Sequence, residues 1–85
     1  PTKELMERFG QKGEQGALIL AVDPESEAAR LGLQAGDLIV EVYSDKVTNA
    51  ADLVQFMKKY HDRDGLRLRV RSPNGGYRYI FLRTK

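Results

Sequence analysis

At 85 residues the chain is read as a single domain spanning 1–85, since domains run from about 50 to 250 residues. Its 41% apolar and 31% charged residues fit a globular fold, and no apolar run approaches the roughly 20 residues of a membrane-spanning helix. The absence of cysteine excludes disulfides and thiolate metal sites, and a net charge of +2 is too small to imply a polyanionic partner by itself.

Leu5, Met6 and Phe9 recur at helical spacing near the start of the chain, and Gly10 stops that short helix. Gln11 to Gln15 reads as a polar loop around Gly13. Ala17 to Val22 is an unbroken apolar run of strand length, which predicts a strand buried on both faces. Ser26 caps a short helix with Glu27 in its first turn, where the helix dipole favours an acid. Gly32 follows Leu31 at a left-handed stop, with Leu33 folding back as the accompanying apolar contact. In Gln34-Ala35-Gly36-Asp37 glycine stands third, the place in a type II turn that requires positive φ.

A strand from Asp37 to Tyr43 comes next, then Ser44-Asp45-Lys46 as a tight turn. Asn49 is an N-cap with Asp52 at N3, opening a helix from Ala50 to Tyr60. His61 to Gly65 is a charged loop. Strands Leu66 to Arg71 and Tyr77 to Arg83 are joined by a segment holding Asn74-Gly75, a strong hairpin signal. This order predicts an α+β fold, a small, partly open antiparallel β-barrel or sandwich capped by two to three helices.

Three of these pieces form one pattern: Gly16 with Ala17 to Val22, then Ser26-Glu27-Ala28-Ala29-Arg30-Leu31-Gly32-Leu33, then Gly36-Asp37-Leu38-Ile39. It resembles the signature of PDZ domains, in particular those of the bacterial HtrA/Deg serine proteases, which read Ser-Pro-Ala-Ala-x-x-Gly-Leu and then x-x-Gly-Asp with an aliphatic pair. Glu27 stands where proline is commonest, a change that a first helical position accepts. Pro1 to Gly10 is similar to the Thr-Pro-Glu-Leu-Ala helix that precedes the strand in HtrA/Deg domains. The resemblance spans essentially the whole chain and implies a PDZ-like domain taken from a longer protein.

The helix from Ala50 carries two apolar stripes. Leu53, Phe56 and Tyr60 form one and are expected in the core; Ala50, Val54 and Met57 form the second. Periodicity alone favours burial of both. The resemblance implies instead that the second stripe lines a groove, in which an extended peptide adds to a sheet edge and sends alternate side chains into apolar pockets. Ala50, Val54 and Met57 match the groove-lining positions, with small Ala50 and Val54 leaving room for bulky side chains and Met57 adapting its shape to the terminal pocket. Ala50 replaces a histidine of many family members, so no hydroxyl-selecting contact is implied. The family's carboxylate-binding loop and peptide-pairing strand are expected just ahead of the helix matching Thr2 to Phe9, before this chain begins.

No catalytic residue, metal site or cofactor is expected within the chain. The single histidine, His61, lies in the charged loop, while Ser26, Ser44 and Ser72 read as a cap, a turn residue and a residue before proline. Asp23, Glu25 and Glu27 flank a helix start, and no phosphate loop or zinc spacing is present. Arg67, Arg69 and Arg71, with Arg78, Arg83, Lys85, Tyr77 and Tyr79, suggest a surface for nucleic acid or anionic lipid. The small net charge favours a solvated strand face whose arginines deter edge-to-edge aggregation, so neither nucleic acid nor direct membrane insertion is expected.

The function implied is a peptide-binding module for apolar C-terminal or unfolded polypeptide segments. Its parent would be an HtrA/Deg-like serine endopeptidase of the periplasm or cell envelope, with the protease domain upstream. The alternative is a non-catalytic scaffold domain of a secretion-system or membrane-protease component.

Overall fold

Each helix begins on a side chain that satisfies an otherwise orphaned amide. Thr2 Oγ1 accepts from the Leu5 N–H at 3.2 Å, Ser26 Oγ from Ala29 at 3.2 Å, and Asn49 Oδ1 from Asp52 at 2.9 Å. The computed structural model describes residues 2–85; Pro1, which the sequence reading includes at the start of the first helix, lies outside the described residues. Along the chain come α1 (Lys3–Arg8), β1 (Ala17–Leu18), α2 (Glu27–Arg30), β2 (Leu38–Val42), β3 (Asp45–Lys46), α3 (Ala50–Lys59), β4 (Gly65–Arg71) and β5 (Tyr77–Arg83).

The strands form one open antiparallel sheet in the order β1-β2-β4-β5, with β3 paired to β2. The expected α+β architecture is therefore present, as an unclosed sheet with its helices packed around it. Alternation along β4 buries Leu66, Leu68 and Val70 and turns Arg67, Arg69 and Arg71 to the other face. Val42, Val47, Ile39, Leu33 and Ile80 complete the core, against which Leu53, Phe56 and Tyr60 of α3 are partly buried. The register of β2 against β4 shifts between Ile39 and Glu41, so Val40 is bulged and its carbonyl accepts instead from the Val47 N–H at 2.9 Å.

Gly36 takes the positive φ expected of its turn, +98°. A Cβ there would lie 2.7 Å from Cδ1 of Phe9, so the glycine also lets α1 lean on the turn.

Two expectations are corrected. Only Ala17–Leu18 of the run to Val22 forms regular strand, and Leu20 is 59% exposed. β1 is the sheet's edge, and with Ala17 buried but Leu18 only partly so, the run is not buried on both faces. The tight turn lies one residue earlier than predicted, at Tyr43 and Ser44, and Asp45–Lys46 pair back on Val42 and Glu41. Tyr43 adopts φ +53°, a left-handed conformation that costs a side-chain-bearing residue about 1–2 kcal/mol. Its ring packs 4.7 Å from that of Tyr60, the Arg63 guanidinium lies 4.6 Å above it, and its hydroxyl donates to the Gly65 carbonyl at 2.7 Å. These contacts offset the strain.

The β3–α3 junction carries an acid-sensitive element. Asp45 accepts from the Tyr60 hydroxyl at 2.6 Å and from Lys59 Nζ at 2.9 Å, and the two bonds hold its carboxyl below the usual 3.8. The Thr48 hydroxyl and N–H lower Asp52 in the same direction. A lowered folded pKa contributes stability that is complete above the ordinary value and is lost as pH falls through the folded one. Stability is therefore expected to drop below about pH 4. Asp45→Asn should flatten that part of a pH–denaturation profile, and an unchanged acid limb would contradict the assignment.

Candidate binding groove

The edge presented by β1 is open. The Ile19 N–H donates to the Asp37 carbonyl at 2.9 Å and the Ile19 carbonyl accepts from Gly36 at 2.7 Å, so Ile19 turns its backbone toward β2. In an antiparallel pair the neighbouring residues then turn theirs away, which directs Leu18 and Leu20 outward. Among the described residues, no backbone hydrogen bond is made by Leu20, Ala21 or Val22. Gly16 sets this edge close to β2, since a Cβ there would meet the Ile39 carbonyl oxygen at 2.5 Å.

Between that edge and α3 runs an apolar furrow of about 330 Å³. Leu66, Leu68, Leu82 and Ile39 form its floor, so the furrow opens directly onto the core. Ile19, Ala21 and Val22 make one wall and Leu53 and Met57 the other. Asp23 is the one charged residue in the lining, and its carboxylate is engaged locally by the Glu25 N–H at 2.9 Å. A site of this kind can take up apolar side chains while leaving backbone groups free on one side to pair.

Of the three residues read from sequence as groove-lining, the structure brings Met57 into the lining, 47% exposed. Val54, 49% exposed, and Ala50, also exposed, lie on the same helix outside that lining. Leu53, expected in the core, both packs against it and lines the furrow. No α3 residue is fully buried, so burial of both stripes is excluded. Ile19, Val22 and Leu82 were missed as lining residues, although the apolar run from Ala17 to Val22 already marked the near wall. A wider hollow of about 650 Å³ lies between α1 and the start of α3, with Lys3, Glu7, Lys12 and Glu14 among its lining, and holds none of the predicted residues. No group of three or more acidic or histidine side chains among the described residues is placed to hold a metal.

A family model described as PDZ domain matches residues 18–72, from the last residue of β1 through α2, β2, β3, α3 and β4. The chain belongs to the PDZ domain family. This PDZ domain is 35% identical over 79 residues to a Halomonas elongata protein named "Probable periplasmic serine endoprotease DegP-like", a match covering 93% of the chain and 16% of that protein. A Bartonella henselae protein of the same name is 40% identical over 55 residues, covering 64% of the chain and 10% of that protein. The chain thus spans about a sixth or less of the length of these relatives. Among solved structures, the HtrA3 PDZ domain bound to a phage-derived ligand (FGRWV) superposes with a TM-score of 0.73 at 25% identity, covering 94% of this PDZ domain and 69% of that chain. The HtrA/Deg resemblance and the PDZ-like α+β fold are both borne out.

Proposed function

We propose that this PDZ domain binds an extended apolar polypeptide segment, a C-terminus or an unfolded stretch, along the furrow beside α3. It acts as the substrate-binding or regulatory module of a periplasmic HtrA/Deg-like serine endopeptidase whose catalytic domain lies upstream. The observation that carries this reading is the open apolar furrow itself, with half-exposed Met57 facing an edge whose backbone is unpartnered from Leu20 to Val22. Sheet addition satisfies such an edge: in this reading the family's pairing strand, from residues ahead of Pro1, lies along it, and the guest pairs with that strand and sends every second side chain toward Leu66 and Leu68. Val54 and Ala50 continue the helix wall beyond Met57, toward the outer side of the guest.

The family's carboxylate loop comes from the same upstream residues and completes the grip on a chain end. The ligand of the HtrA3 domain, which carries apolar Trp and Val at its end, supports an apolar guest. Relatives named as periplasmic serine endoproteases favour the protease module over the scaffold alternative.

The test is an NMR titration of the chain, extended at its N-terminus by its natural preceding residues, with the peptide FGRWV. Saturable shifts are expected at Leu20, Ala21, Val22, Val54 and Met57. Shifts confined to the outer face of β4 and β5 would overturn the reading.

A further inference from the structure

The opposite edge of the sheet, β5, is seven residues long where β1 is two. Its hydrogen-bonding phase is fixed at both ends: the Ser72 N–H donates to the Gly76 carbonyl at 2.7 Å, and the Thr84 N–H to the Asp64 carbonyl at 3.0 Å. With Arg71 opposite Tyr77 and Gly65 opposite Arg83, Arg78, Ile80 and Leu82 turn their backbone toward β4. Tyr77, Tyr79, Phe81 and Arg83 turn theirs outward. Among the described residues none of those outward N–H and C=O groups has a partner.

The side chains leave most of this edge unguarded. Of the arginines read as a deterrent to edge pairing, Arg83 stands at the end of β5, while Arg67 and Arg69 sit one strand further in, on β4. They lie over the edge's own rings, Arg69 at 4.2 Å from Tyr77 and Arg67 at 5.5 Å from Tyr79. Tyr77, Tyr79 and Phe81 are 47%, 62% and 48% exposed. An inward-pointing charge is another common guard. Arg78 is drawn away from that role, to the Asp37 carboxylate at 2.8 Å, the Ser72 hydroxyl and the Gly32 carbonyl. A long, aromatic, unpaired edge is a template for a further strand.

We infer that β5 pairs antiparallel with β5 of a second copy of this chain, about a two-fold axis at Ile80, joining two sheets into one. The sequence of the strand is self-complementary in that register. Outward-facing residues meet outward-facing residues, Tyr77 opposite Arg83 and Tyr79 opposite Phe81, each pair occurring twice by symmetry. The first is a cation–π pair and the second an aromatic pair, both favourable across strands. Moving the axis to Tyr79 sets Arg83 opposite Gly75, and moving it to Phe81 sets Tyr77 opposite Lys85. Only the axis at Ile80 keeps the whole strand paired. The two Arg83 side chains then stand about 20 Å apart along the strands, beyond the screening distance at physiological salt.

Sedimentation equilibrium and amide hydrogen exchange of the 85-residue chain over a concentration series test this. The mass is expected to double reversibly. The amides of Tyr77, Tyr79, Phe81 and Arg83 should slow at least about tenfold from dilute to concentrated samples, while those of Arg78, Ile80 and Leu82 hold constant. Changing Tyr79→Lys and Phe81→Lys together places like charges across the axis. That variant should stay monomeric and folded, at a lower unfolding temperature because the new charges face Arg69 and Arg67 on β4. A monomer up to millimolar concentration overturns the inference, as does a dimer whose outward β5 amides remain unprotected. Protection of these amides by FGRWV but not by self-concentration would assign the edge to a foreign strand and overturn it as well.

Discussion

Gln11→Leu is expected to lower the stability of this domain by about 2–4 kcal/mol. Gln11 lies between α1 and β1, where composition suggests a solvated residue, yet it is completely buried. Its Nε2 donates to the carbonyls of Gly36 and Arg71, both at 2.9 Å, and its Oε1 accepts from the Arg71 guanidinium. Arg71 in turn donates to the Gly10 carbonyl at 2.9 Å. One amide thus joins the end of α1, the turn before β2 and the end of β4. The partners also fix its orientation, since two carbonyls require the N–H₂ side and the guanidinium requires the oxygen.

Leucine fills nearly the same space and makes none of these bonds. Each buried carbonyl left without a donor costs about 1–3 kcal/mol. Domains of this size have a total stability near the low end of about 5–15 kcal/mol. For such a chain 1 kcal/mol moves the midpoint by about 4–8 °C, so thermal unfolding should show a fall of at least about 8 °C. A loss under about 1 kcal/mol would mean that water reaches the two carbonyls and that the network does not hold the loop.

The parts of the fold legible in the sequence are those decided by nearest neighbours. Asn49 and Ser26 cap because a short polar side chain before an apolar-periodic run has few better partners than the next free amides. Asn74-Gly75 turns the β4–β5 hairpin, and Gly36 takes positive φ, for equally local reasons. Gln11 was illegible because its partners lie 25 and 60 residues away. Tyr43 was illegible because a ring packed at a tilt against Tyr60 and a hydroxyl bound to Gly65 outweigh a turn preference for smaller residues. The run to Val22 gave the right composition for a strand but no information that β1 would be an edge.

The same division holds for the groove. Periodicity marked α3 as carrying apolar side chains over a wide arc, and the family pattern singled out Ala50, Val54 and Met57. Which of them face the furrow depends on how α3 lies across β1 and β2, a tertiary property that no spacing encodes. The observed lining takes the Leu53–Met57 pair, four residues apart on one face. Val54 is left as a shoulder.

The claim on which the functional reading rests is that the face of α3 carrying Met57 is a binding wall. Met57→Asp tests it most directly, with FGRWV binding to the N-terminally extended chain and unfolding stability measured on the same sample. Met57 is half-exposed in the free protein, so stability should change by less than about 1 kcal/mol. A carboxylate pressed against an apolar guest loses its hydration without gaining a partner, so affinity should fall at least about 100-fold. Affinity unchanged by the substitution, or a domain that unfolds because of it, would contradict the account.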